Sequence, residues 1–172
     1  MNREASAPFL TQPAAPLILQ LRFNGFALAA NLEGLSHREG LVQPAGGGNC
    51  LNWVVGHLLV SRNRMLELVE QPEIWDSATR QPYVRGSAAI TDDGDGVLSL
   101  EQLLADFQSS QATLLEALGA QTRDELASPA VGVNGRETDR LSALAELVFH
   151  EAYHVGQTGL LRRIAGHDAA LS

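Results

Sequence analysis

Apolar residues recur every three or four positions along four long stretches of this chain, and no segment makes a convincing strand. That period marks amphipathic helices and limits the fold to helix packed on helix. The first stretch covers 14–36, with Leu17, Leu21, Leu28, Leu32 and Leu35 on one face and Pro13 and Pro16 at its start. The second covers 50–70, with Asn49 as its N-cap and Pro72 beyond its end; Leu51, Val54, Val55, Leu58, Leu59, Met65, Leu66 and Val69 form its face. The third opens at Ser99, with Gln102 at the capping-box position, and buries Leu103, Leu104, Phe107, Leu114, Leu115 and Leu118. "TRDELAS", 122–128, reads as one short turn capped by Thr122 with Glu125 as its box partner. The fourth helix covers 138–165, with Leu141, Leu144, Ala145, Val148, Ala152, Val155, Gly159 and Ile164 as its stripe and Gly166 as its C-terminal cap. Four such helices predict an all-α four-helix bundle, one domain over 1–172. The connection 72–98, between helices two and three, has no helical period. At that length it holds short structure or lies over a pocket.

Composition narrows the function classes. The net charge is −8, and all 12 basic residues are arginines without a basic stripe. That argues against nucleic acid as a partner. The single cysteine, Cys50, excludes an internal disulfide and fits a reducing cytoplasm. The first residues show no basic start followed by a long apolar run, and no apolar run reaches spanning length, so neither a signal peptide nor a membrane span is expected.

The chemistry concentrates in "FHEAYHVGQTGLLRR", 149–163. His150, Glu151 and His154 spell H-E-x-x-H, the zinc protease signature. Residues i and i+4 share a helix face about 6 Å apart along the axis, so the two imidazoles can share one ion. A protease takes its third ligand downstream. Here Gln157 and Leu160 stand where the longer motif would continue, and no glutamate follows His154. His167 lies 13 residues on, about 20 Å along a helix, too far to reach back. His57, mid-way along the second helix in "NWVVGHLLVSRN", reads two ways. It is a hydrogen-bonded core histidine, or the third ligand if helix two lies beside helix four. Gly56 next to it allows close approach by a helix. Three neutral histidines with open positions make a catalytic rather than a structural metal site. Gln157, one turn after His154, either orients bound water or substrate or makes a packing hydrogen bond.

"NWVVGHLLVSRN" followed about 90 residues later by "HEAYHVGQTGLLRR" resembles the DinB-like (YfiT-like) metalloenzymes. That family is a four-helix bundle with one histidine on helix two and H-x-x-x-H, often with x-G-Q after it, on helix four. Here those positions are His57, His150, His154, Gly156 and Gln157. The resemblance implies a divalent metal, zinc or nickel, held by the three histidines, and a homodimer. It also implies a small-molecule substrate, with a low-molecular-weight thiol such as mycothiol or bacillithiol as cosubstrate. The function expected is a thiol S-transferase or a hydrolase, against a non-enzymatic metal-binding interaction module. On this reading Glu151 is incidental to the motif.

Other features weigh less. "TDDGDGVLSLEQ", 91–102, places Asp93, Asp95 and Gly96 as a calcium loop does, but Thr91 and Gln102 stand at its first and last positions. It reads as a polar turn into helix three. Asn24 and Asn31 interrupt the first helix's stripe, as solvated edges or as partners inside the bundle. Cys50 reads as packing, and Trp53 and Tyr153 as core or pocket wall.

Overall fold

The computed structural model describes residues 12–171, so the reading of the first eleven residues lies outside the described region. Among the described residues four helices carry the fold: α1 (Ala15–Leu32), α3 (Leu51–Leu68), α5 (Leu100–Ala120) and α7 (Arg140–Ile164). Short helices α2 (His37–Gly40), α4 (Ser77–Arg80) and α6 (Arg123–Leu126) lie in the connections, with a 3-10 turn at Gln81–Tyr83. No helix among the described residues is long and apolar enough to cross a membrane.

Local chemistry sets most boundaries. Ser99 accepts from the Gln102 amide, although the Gln102 side chain donates to Asp106 and leaves the capping box half made. Thr122 and Glu125 close the predicted box of α6 from both sides. Gly166, at φ +95°, ends α7: its amide bonds Arg163 O and the next bonds Arg162 O, a Schellman closure. The first helix stops earlier than the period predicts, at Leu32, because Ser36 and Glu39 form a capping box that starts α2. Asn49 is not the cap of α3: the buried Cys50 holds that position and offers no side-chain oxygen bond.

Two differences from the sequence reading stand out. A hairpin of β1 (Pro129–Val131) and β2 (Glu137–Asp139) occupies a stretch read as strandless. Its signal was Asn134-Gly135, a favoured hairpin turn, with Gly135 at φ +78°. The buried face of α7 is also rotated. It presents Leu144, Leu147, Val148, Glu151, Val155 and Thr158, whereas Leu141, Ala145 and Ile164 are exposed. The apolar period misses this face because two of its members are polar.

Those polar members fix the helix pairing. Asn24 donates to Glu151 and Asn31 to Thr158. Both contacts step seven residues along each helix, so α1 and α7 run parallel. Both asparagines are therefore buried inside the bundle, and neither reaches a histidine. Across α3 and α7 the order reverses, with Ser61 on His150 and His57 beside His154. Across α3 and α5, Asn52 bonds Leu98 O and Arg62 bonds Ser110, again parallel. The four helices form a ring in the order α1–α7–α3–α5. Because α3 and α5 run the same way, the chain between them must return about 27 Å. That is the physical reason for the long 69–99 connection.

The core has two apolar halves. One gathers Leu28, Val55, Leu58, Leu59 and Phe107; the other gathers Leu21, Met65, Leu66, Leu114 and Val148. Between them lies a polar layer to which each long helix contributes. Arg62 donates Nε and Nη2 to the two Glu151 oxygens, Nη1 to Phe107 O and Ser110, and Nη2 also to Gln111. All five guanidinium N–H groups are thereby used. Arg62 and Glu151 are both 0% exposed. A buried charge pair costs desolvation, and full hydrogen bonding offsets that cost.

Candidate metal centre

His57, His150 and His154 meet on the α3–α7 seam, beside the polar layer. The ring centroids are 5.2, 5.0 and 4.5 Å apart for the pairs 57–150, 57–154 and 150–154. One nitrogen from each lies within 4.8 Å of the others, a group that can hold a metal ion. The polar layer sets this placement, since Arg62 and Glu151 are the chain neighbours of Ser61 and His150.

Each ring has its Nδ1 occupied. His57 Nδ1 lies 2.9 Å from Tyr83 O, a carbonyl that can only accept. Ser61 donates its hydroxyl to His57 O, so at 3.2 Å it accepts from His150 Nδ1. His154 Nδ1 donates to Gln157 Oε1 at 2.8 Å. Three Nδ1–H groups on oxygen acceptors leave three Nε2 lone pairs directed at one another. This is the outer-shell pattern that orients metal-binding histidines. The Nε2 atoms of His150 and His154 are 3.1 Å apart. Two lone pairs at that distance repel unless a cation lies between them. With metal–nitrogen bonds of 2.0–2.1 Å, the edge of a tetrahedral site is about 3.3 Å. The donor set and its spacing both fit a divalent ion.

Electrostatics keep the lone pairs free. Burial, with repulsion from His154 and His57, lowers His150 from 6.5 to about 4. Burial lowers His57 against the opposing bond to Tyr83 O, and burial lowers His154 against the bond to Gln157. The linkage has a definite sign. The unfolded chain takes up a proton at His150 near pH 6.5, whereas the folded chain resists until about pH 4. Protons in that window therefore favour unfolding. Metal-free protein is expected to be at full stability above pH 6.5 and to lose stability as pH falls toward 4, with a flatter profile in His150→Gln. Denaturant midpoints from pH 7.5 to 4.5 in chelator measure this.

The connection builds the other wall. Tyr83 is buried, its hydroxyl accepts from Leu98 N, and its ring packs against Gly56. The close approach expected at Gly56 is thus made by a tyrosine ring and not by a helix. Trp53 stacks on His57, centroids 4.6 Å apart, and donates to Ser87. A cavity of about 540 Å³ opens onto all three histidines, Gln157, Trp53 and Arg85. A larger cavity, about 670 Å³, lies at the start of α1 and has no histidine in its wall.

Several sequence candidates fall outside the site. Glu151 is not on the metal side: both oxygens are held by Arg62, so it is unavailable as a protease base. His167 pairs with Glu39, and His37 with Asp93 of the acidic loop. Cys50 is buried in the apolar core, as the packing reading expected. Tyr153 is exposed with its ring edge-on to His154. Sequence reasoning missed Arg62, Ser61 and Ser87. Arg62 had a signal, since it stands one turn from both Leu58 and Leu66 on an otherwise apolar face. Ser61 and Ser87 had none.

The fold is mostly helical, and histidines from two long helices meet on one seam as a group that could hold a metal ion. The chain belongs to the DinB superfamily, whose family model matches residues 20–158, a span that includes the three histidines and Gln157. Its fold is similar to that of a crystal structure described as the conserved protein of locus from Enterococcus faecalis. That likeness has a TM-score of 0.70 at 14% identity, over 90% of this chain and 98% of that one. A comparison with curated proteins finds no match.

Proposed function

We propose that this protein is a divalent-metal-dependent enzyme of the DinB-like four-helix-bundle type, acting on a small molecule as a thiol S-transferase or a hydrolase. The observation that carries this reading is the placement of the rings: each Nδ1 lies against an oxygen, of Tyr83, Ser61 or Gln157, and one nitrogen from each ring lies within 4.8 Å of the others. Zinc or nickel suits three imidazoles. When bound, such an ion supplies a Lewis acid that lowers the pKa of a water or thiol ligand. The protein's own groups do the rest. Tyr83 O and Ser61 hold their rings in register, and Trp53 fixes the plane of His57. Gln157 serves through His154, and with its carbonyl on Nδ1 its amide N–H groups are left for substrate. Three neutral histidines would hold the ion without compensating its charge, so the site would favour an anionic substrate group. The free, buried Cys50 fits a reducing cytoplasm, where small thiols are abundant.

Metal analysis of untagged protein beside His57→Ala tests the centre. About one ion per chain, lost in the variant, is the expected result. Wild-type protein that holds no metal after reconstitution with zinc or nickel would overturn it.

A non-enzymatic homodimeric module is the second reading, favoured by one observation. Phe149 and Tyr153, one turn apart on α7, are exposed, Phe149 at 73%. An exposed apolar face of this kind marks an interaction surface. A homodimer would cover it, in an enzyme or in a module, and sedimentation equilibrium of Phe149→Glu against wild type measures that association.

A further inference from the structure

The cavity over the histidines has an unusual charge balance. The chain carries 20 aspartates and glutamates and a net charge of −8. Yet among the described residues lining this cavity there is no carboxylate. The charged side chain that lines it is Arg85, on the connection between α3 and α5. A divalent ion on three neutral histidines would add two further positive charges with no counter-charge from the wall.

Arg85 is presented by a pinned turn. Before it, the Tyr83 carbonyl is tied to His57. After it, Ser87 accepts from Trp53 and donates to Pro82 O. Ser87 N closes the turn onto Val84 O, with Gly86 at φ +84° as the position that needs glycine. The backbone at Arg85 is therefore held at a fixed place relative to His57, because the residue two before it bonds that ring, and from it the exposed Arg85 side chain lines the cavity. Leu160, Leu161 and Ile164 of α7 add an apolar part to the same cavity lining.

We infer that Arg85 binds a carboxylate of the substrate, and that the substrate is a small molecule with an apolar body between that carboxylate and a group directed at the histidines. A guanidinium reads a carboxylate through two parallel N–H donors, which a point charge does not do. The inference rests on the metal reading for the other end of the substrate.

The test uses cobalt-loaded protein and two length-matched probes, 6-mercaptohexanoate and 6-mercaptohexanol. Thiolate ligation is read from the charge-transfer absorption of the cobalt. In wild type the acid binds about tenfold more tightly than the alcohol, the size of one charge-assisted contact. In Arg85→Gln the ratio falls to about one, and Arg85→Lys restores part of it. A cobalt spectrum with the same acid-to-alcohol ratio in wild type and Arg85→Gln overturns the inference and leaves the metal centre standing. If wild type takes up no cobalt, the metal reading itself has failed. Calorimetry of hexanoate on metal-free protein then decides, and equal affinity in wild type and Arg85→Gln overturns the role of Arg85.

Discussion

Arg62→Met protein unfolds with about 3–5 kcal/mol less free energy than the native chain, the cost of leaving a buried carboxylate without its partner. Glu151 would keep one Asn24 amide contact and lose both guanidinium bonds. Phe107 O, Ser110 and Gln111 would lose a donor as well. The double variant Arg62→Met, Glu151→Leu recovers much of the loss, because an apolar pair of similar size removes both charges from the core. Recovery stays incomplete, since the buried Asn24 and the half-buried Gln111 are left with fewer partners. Urea unfolding of the two single variants and the double variant measures the coupling. Additive losses would show that the pair does not act as a unit.

Gly56→Ala is the second large effect. A Cβ there would overlap the Tyr83 ring, so the ring must move. Overpacking of a filled site costs about 1–3 kcal/mol. The larger consequence is for the metal. The Tyr83 carbonyl that fixes His57 belongs to the displaced residue. Loss of such an outer-shell bond weakens metal affinity about 10- to 100-fold. Gly156→Ala, on the exposed side of α7 with open space around it, carries the opposite sign. It stabilises by about 0.5–1 kcal/mol through helix propensity. Isothermal titration with zinc and thermal melts of both variants make the comparison. Unchanged zinc affinity in Gly56→Ala would separate Tyr83 from the centre.

Local signals made the helices legible. The period of 51–69 and 100–118, the Thr122 box and the Gly166 cap all act within a few residues, and sequence carries such interactions directly. The three histidines were legible for the same reason in part: His150 and His154 are one turn apart, whereas His57 needed a statement about which helices touch. What stayed hidden depends on distant residues. Glu151 and Thr158 were left out of the stripe because they are polar and their partners, Arg62 and Asn31, stand 89 and 127 residues away. The stripe of α7 was misplaced as a result. Ser61 and Ser87 are ordinary serines until the fold sets them beside a histidine and a tryptophan.

The parallel pairing of α3 with α5 has an evolutionary consequence. It obliges the chain to travel back along the outside of the molecule, and that return path happens to pass the histidines. Arg85 belongs to this path, whereas His57, His150 and His154 belong to the helices. The two can diverge at different rates. If Arg85 reads the substrate as proposed, a handful of changes between 84 and 87 would re-address the protein to another molecule while the helix register and the three histidines stayed intact, so relatives sharing the histidines need not share a substrate.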